Sequence, residues 1–252
     1  MHCICQNVTM SINLQAGYLC LTLPFLLVWL ILFIYARKTR HQQLFMSLLV
    51  MPLGPFSEII YFRDYWRPLS IFAFSIGSFH IYPEDLLFGF AIGGIGAIVY
   101  EVFFHKHLGK LHEKIHPHIQ TAIIAFIVLC IMYFLLNIGL NSIFATSIGL
   151  VFGALLIVVQ RKDLLAVSFW SGICVMLTMF LCYFLLYHIV TNVDQLLKQG
   201  WLLSNTPLGL RIFHIPATEM VWGFSWGMMA GPLYAFSRNL KFYQDTKKKR
   251  KR

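Results

Sequence analysis

Charge is scarce in this chain. Asp, Glu, Lys and Arg make up 12 % of its 252 residues and hydrophobic residues 58 %, and the mean hydropathy is +0.70. A soluble domain carries about 25 % charged residues. Apolar runs of about 20 residues recur along the whole length, which excludes a soluble globular reading. Cysteine pattern is lacking too. The six Cys include no C-x-x-C pair, and Cys130, Cys174 and Cys182 lie in apolar runs, where a free Cys acts as a small hydrophobe. Neither a disulfide framework nor a metal site is expected. No G-x-G-x-x-G, Walker loop or H-E-x-x-H is present, so no nucleotide, flavin or other cofactor is expected. The opening stretch has no Lys or Arg ahead of its apolar run and does not read as a secretory signal. An N-V-T triplet at Asn7 matches a glycosylation acceptor, a motif common by chance.

What is there predicts an all-α polytopic membrane protein with seven transmembrane helices. The spans read as roughly 17–36, 44–62, 84–104, 119–139, 143–160, 165–190 and 217–237, the second broken by Pro52 and Pro55. Alternate loops carry Arg37, Lys38 and Arg40, then Lys106, Lys110 and Lys114, then Arg161 and Lys162, then eight Lys or Arg from Arg238 onward. These sum to sixteen on one side, against Arg63, Arg67, Lys198 and Arg211 on the other. Positive charge marks the cytosolic side, so the N-terminus is expected outside and the C-terminus in the cytosol. The closing run KKKRKR suits a cytosolic anchor against anionic lipid. Nucleic-acid binding is not expected, because no groove-reading or stacking module accompanies it. The loop HKHLGKLHEKIHPH places His112 and His116 one helical turn apart, a spacing that could hold a metal. No Cys or Asp joins them and three Lys surround them, so an amphipathic linker is the expectation.

A repeat is hidden in the chain. Shifting residues 79–101 by 134 positions lays them over 213–235. Phe79, His80, Ile81, Gly89, Phe90, Gly93 and Tyr100 then match Phe213, His214, Ile215, Gly223, Phe224, Gly227 and Tyr234. Asp85 falls over Glu219 and Phe88 over Trp222. With one gap the match runs back to Trp66 and Trp201, preceded by Glu58 and Asp194. Two parallel three-helix repeats joined by one linker helix account for the odd number of spans. The expected units are 1–110, a basic loop and linker helix at 111–142, a second repeat at 143–240 and a polybasic tail at 241–252.

Asp85, Gly89, Gly93, Ala97 and Glu101 recur every fourth residue, as do Glu219, Gly223, Gly227 and Gly231. Small-x-x-x-small ridges let membrane helices approach closely, so spans 3 and 7 are expected to pack together through these glycines. Each ridge is headed by an acid. A carboxyl group at the edge of hydrocarbon must be paired, hydrated or protonated, and one kept neutral can donate a proton in an apolar cavity. The plainer alternative makes Asp85 and Glu219 first-turn acids favoured by the helix dipole, which leaves Glu101 at the far end unexplained. Trp66, Trp201, Trp222 and Trp226 suit an interface belt. Grouped near the acids, their faces would instead stabilise a cation. An acid that protonates an alkene beside such aromatics performs terpenoid cyclisation.

The layout resembles the transmembrane lycopene cyclase domain family, whose repeats have three spans, an outer-loop Trp and a signature close to P-L-E-E-L-L-F-F followed by Y-E. EDLLFGF (84–90), YE (100–101) and PATEMVWGF (216–224) carry the resemblance. Thr218 replaces one family Glu, Gly89 and Gly223 replace the final Phe, and Pro83 stands one residue nearer the acids, as in a diverged member. The resemblance implies non-redox, acid-initiated cyclisation of lycopene or a related polyene, in a bacterial-type inner or plasma membrane. Carried over, the catalytic candidates are Glu84, Asp85, Glu219 and Glu101, with Glu58 and Asp194 as the acids of the outer loops. Substrate-lining candidates are Trp66, Trp201, Trp222, Phe88, His80 and His214. The implied partners are the lipid bilayer and an isoprenoid substrate, and a homo-oligomer stays open. Two other classes also stay open: a non-catalytic carotenoid- or lipid-binding membrane protein, and a small proton-coupled transporter.

Overall fold

A computed structural model of the chain describes residues 13–77, 79–111 and 117–244. Asn7, Cys3, Cys5, His112 and His116 lie outside the described residues. The chain is mostly helical. α1 (Gly17–Tyr35) is followed by α2 (Arg40–Val50) and α3 (Leu53–Tyr61), bent by 41° at their break. Pro52 stands in that break and Pro55 in the first turn of α3. A ring in place of an N–H cannot continue the hydrogen-bond ladder, so the span breaks there. A hairpin, β1 (Phe74–Ile76) and β2 (Phe79–Ile81), leads into α4 (Pro83–Phe103). Pro83 occupies the first turn of α4 with Glu84 and Asp85 beside it, a sequence that starts helices well.

After β3 (Lys106–Lys110) come α5 (Pro117–Asn137), α6 (Ser142–Gln160) and α7 (Leu165–Ile189). Asp64 caps α6 from the loop after α3, accepting from Ser142 Oγ at 2.5 Å and from its backbone N–H. A short α8 (Val193–Gly200) and the hairpin β4 (Arg211–Ile212) and β5 (Ile215–Pro216) precede α9 (Ala217–Ser237) and β6 (Leu240–Gln244). The short strand pairs were not legible as strands in the sequence.

Among the described residues, five helices are long and apolar enough to cross a membrane, and the bent α2–α3 pair makes a sixth. α9 has 21 residues but is not among them. Its glycines, Thr218 and Ser225 lower its hydropathy, and many of its residues are buried against other helices rather than exposed. Large apolar side chains face outward from the others, such as Leu27, Phe126, Leu155 and Leu181. In water such surface would be a liability, and in a bilayer it is the solvated face. The chain is a membrane protein.

The glycine ridges differ from expectation. A Cβ on Gly89 or Gly93 would meet Met51, Val50 and Met46, and one on Gly223 or Gly227 would meet Met179, Ser171 and Gly172. Gly231 likewise faces Ser171. Each ridge packs on the span preceding it, α2 or α7, and not on its counterpart. α4 and α9 do touch, one register round: Gly96 faces Ala230, and Trp226 Nε1 donates to the Ile92 carbonyl at 3.1 Å. Ile92 and Trp226, and Gly96 and Ala230, are pairs equated by the 134-residue shift.

The same holds at both ends of the bundle. β3 pairs antiparallel with β6 and centres on Leu108 opposite Phe242, also 134 apart. At the other end Trp66 bridges Trp201. There Arg67 N–H donates to the Gly200 carbonyl at 2.8 Å and Leu202 N–H to the Tyr65 carbonyl at 2.9 Å. The β3–β6 end collects the basic residues. Arg161, buried there, binds Asp163 through two 2.8 Å contacts and donates to the Leu240 carbonyl at 2.9 Å. Replacing Arg161 with Ala orphans that carbonyl and frees β6. The expected cost is about 1–3 kcal/mol, read as a lower unfolding temperature and faster proteolysis after Lys241.

Candidate active site

Two acidic helix heads face one tyrosine-rich layer at the end of the bundle opposite β3–β6. Asp85, 2 % exposed, accepts a short hydrogen bond from Tyr18 Oη of α1. Glu58, buried in α3, is within hydrogen-bonding reach of Asp85. Glu58 Oε2 and Asp85 Oδ2 have no other partner among the described residues, so one proton shared between the two carboxyls would satisfy both. The α3 chain is pressed against this point. A Cβ on Gly54 would stand 2.1 Å from the Asp85 carbonyl oxygen, so only glycine permits the approach. Glu84, also buried, turns away and accepts from Ser70 Oγ at 2.8 and 2.9 Å.

Glu219, in the first turn of α9, accepts a short hydrogen bond from Tyr65 Oη and another from Tyr183 of α7. Burial first, and the nearby Glu219 charge second, push the Tyr65 hydroxyl well above its usual range, so it remains a donor. Tyr65 Oη also lies 3.2 Å from Thr218 Oγ1. Thr218 therefore takes the place of a second acid with a hydroxyl that joins the same network.

Inward from the acids the chain is aromatic. Phe88 stacks edge-on to Phe25 at 5.2 Å and lies 6.0 Å from Trp222. Trp222 is parallel to Trp226 at 6.0 Å, and Phe25 meets Tyr183 at 6.3 Å. Trp222 Nε1 donates to Tyr61 Oη at 3.1 Å. A buried Trp or Tyr needs such a partner for its polar tip.

Trp66 packs edge-on to Tyr18, and Trp201 is buried in a cluster with Tyr65, so both border the tyrosine layer. The remaining sequence-predicted residues lie elsewhere. Asp194 is exposed and paired with Arg211 at 2.9 Å, away from the acids. His214 is exposed in the β4–β5 turn with φ of 69°. The His80 side chain lies outside the described residues. Glu101 is buried at the far end of α4 beside Gln42, and does not join Asp85. Sequence reasoning missed Tyr18, Tyr61, Tyr65 and Tyr183. Their signal was present: a tyrosine inside or at the edge of an apolar run carries a hydroxyl that hydrocarbon cannot satisfy.

Fold and site together define a helical membrane protein with buried carboxyl groups over an aromatic interior. Residues 141–237 match the family model described as Lycopene cyclase, so the second half of the chain is similar to that family. The match begins one residue before α6 and ends with α9. No curated protein and no solved structure matches the chain.

Proposed function

We propose that the protein is a carotenoid end-group cyclase that isomerises a linear polyene, such as lycopene, without redox chemistry. The observation that carries this reading is the placement of Asp85 and Glu219, each tyrosine-bound, over the aromatic cluster of Phe25, Phe88, Trp222 and Trp226. In the reaction a carboxyl O–H protonates the inner carbon of the terminal alkene, and the positive charge forms on its outer, dimethyl-bearing carbon. An internal alkene attacks that carbon and closes the ring. A carboxylate then removes a proton next to the new cation, so the product is an isomer and no proton or electron is consumed. Tyr18, Tyr65 and Tyr183 orient the carboxyls. The Trp and Phe faces shelter the cation where water would quench it. Glu58 would hold the proton that Asp85 gives or takes.

The fold proposed with this function is seven spans, α9 being the seventh, as two three-span units about a pseudo-two-fold axis along the bundle. Self-contact between equivalent residues is what a two-fold axis requires, and Trp66–Trp201, Ile92–Trp226, Gly96–Ala230 and Leu108–Phe242 all supply it. The concentration of Arg37, Lys38, Arg161, Lys162 and Arg238 at the β3–β6 end supports that end being cytosolic. The acid layer then lies at the outer leaflet.

The test is expression of the full chain in a lycopene-accumulating host with pigment analysis. Cyclic products are expected. Unchanged lycopene in cells whose membranes contain folded protein overturns the reading for that substrate.

A further inference from the structure

The last turn of α3 reaches across to the other half of the chain. Trp222 Nε1 of α9 donates to Tyr61 Oη at 3.1 Å. Thr146 Oγ1 of α6 is within hydrogen-bonding reach of the same hydroxyl, and itself donates to the Ser142 carbonyl at 2.8 Å. A hydroxyl has one proton to give. Thr146 gives its proton to the carbonyl, so its oxygen accepts from Tyr61, and the Tyr61 oxygen is left to accept from the indole. The chain of bonds therefore runs one way, from Trp222 through Tyr61 and Thr146 into the first turn of α6. The segment after Tyr61 is pinned as well. Asp64 caps that same turn of α6, and Tyr65 donates to Glu219.

We infer that Tyr61 is a positioning residue, which holds the Trp222 indole with its N–H on a hydroxyl rather than on Glu219 and its ring face toward Phe88 and Trp226. The inference rests on the cyclase reading for what that ring face does. Trp222 stands three residues after Glu219, so the two side chains are neighbours on one face of α9. A buried indole N–H needs an acceptor, and without Tyr61 Oη the carboxyl is the acceptor next along the helix. An N–H on that carboxyl would stabilise its anion and weaken it as a base. As placed, the indole is parallel to Trp226 and tilted by 33° to Phe88, each at 6.0 Å. The internal repeat supports the pairing. Met51 and Met176 lie against Gly89 and Gly223, and Glu58 and Tyr183 bind Asp85 and Glu219. Both pairs are 125 residues apart, a spacing that equates Tyr61 with Leu186. The 134-residue shift equates Trp222 with Phe88. Hydroxyl and indole N–H thus occur together in one half and are both missing from the equivalent positions of the other.

The experiment is steady-state cyclisation of lycopene by the full chain in lipid nanodiscs, with 19F NMR of the same preparations labelled with 5-fluorotryptophan. The chain has six Trp, and Trp222→Phe identifies the Trp222 resonance by its loss. Tyr61→Phe keeps the ring and removes the acceptor, so it should move the Trp222 resonance more than the others. It should lower kcat about tenfold and leave KM within about twofold, the signature of an interaction that matters in the transition state and not in binding. In a Trp222→Phe background the same substitution should change kcat by less than about twofold, because the N–H it serves is gone. Thr146→Val removes the acceptor that directs the Tyr61 proton and should act in the same direction by less, which keeps a readable variant if Tyr61→Phe fails to fold. An unmoved Trp222 resonance, or an equal loss from Tyr61→Phe in both backgrounds, overturns the positioning role. A moved resonance with no cyclic product from the unsubstituted chain supports the placement of the indole and overturns the cyclase reading alone.

Discussion

Asp85→Asn and Glu219→Gln are each expected to abolish cyclic product while leaving the protein in the membrane. A positioned general acid or base contributes about 10²–10⁴-fold to rate, so a loss of at least about 10²-fold is expected in pigment turnover. Both substitutions keep the side-chain shape and an acceptor oxygen, so Tyr18, Tyr65 and Tyr183 retain a partner. Assembly should therefore survive where proton transfer does not. Helix capping makes the opposite forecast: an Asn or Gln at those positions would cost a few tenths of a kcal/mol in stability and nothing in turnover. Glu58→Gln provides the internal check. If Glu58 and Asp85 hold one proton between them, the Glu58→Gln/Asp85→Asn double variant loses little more than the worse single variant, because residues acting as a unit are non-additive. A full product of two independent losses would separate Glu58 from the site.

The acids of the two halves are not equivalent in their surroundings. Asp85 faces a second carboxyl, and Glu219 faces tyrosines and Thr218. A carboxyl pair can carry a proton in and out. A carboxyl held by hydroxyl donors is better stabilised as an anion. For the proposed cyclisation, this difference favours a protonating role for the Glu58–Asp85 side and a proton-accepting, cation-facing role for Glu219.

Much of this arrangement was legible in the sequence because the acids broke an apolar pattern. Asp85 and Glu219 stood out against residues that merely fill lipid, and the shared Phe-His-Ile-to-glycine spacing fixed their correspondence. The glycines were legible as close-contact residues but not as to partner. A four-residue spacing marks one face of a helix and says nothing about which neighbour meets it. The tyrosines were hidden for a related reason. They count as hydrophobic in a span, and the hydroxyl matters only once Tyr18, Tyr65 and Tyr183 converge from three separate elements. Asp194 was drawn in by its distance from Trp201, yet α8 turns it toward Arg211 and water. The strand pair β3–β6 was illegible because its partners are separated by about half of the chain, and lysines and histidines give strands no pattern to read.

The expected result of largest structural effect concerns the glycine ridges. A Cβ at Gly227 would lie 2.4 Å from the Ser171 carbonyl oxygen and 2.8 Å from Gly172 Cα. Both atoms are backbone, so no side-chain rotation relieves the clash and α7 must move away from α9. Gly93 is similar, with Val50 Cβ at 2.6 Å and the Met46 carbonyl oxygen at 2.8 Å. Each alanine variant should cost about 1–3 kcal/mol, or an unfolding temperature lower by about 3–10 °C. The double variant decides between the two packings. If the ridges met each other across α4 and α9, the first substitution would already have forced the helices apart and the second would add little. With Gly93 against α2 and Gly227 against α7, the two strains share no partner, and their costs should sum to within about 0.5 kcal/mol. Thermal unfolding of the four proteins in one detergent measures the cycle. A double variant no less stable than the weaker single variant would return the ridges to a common interface.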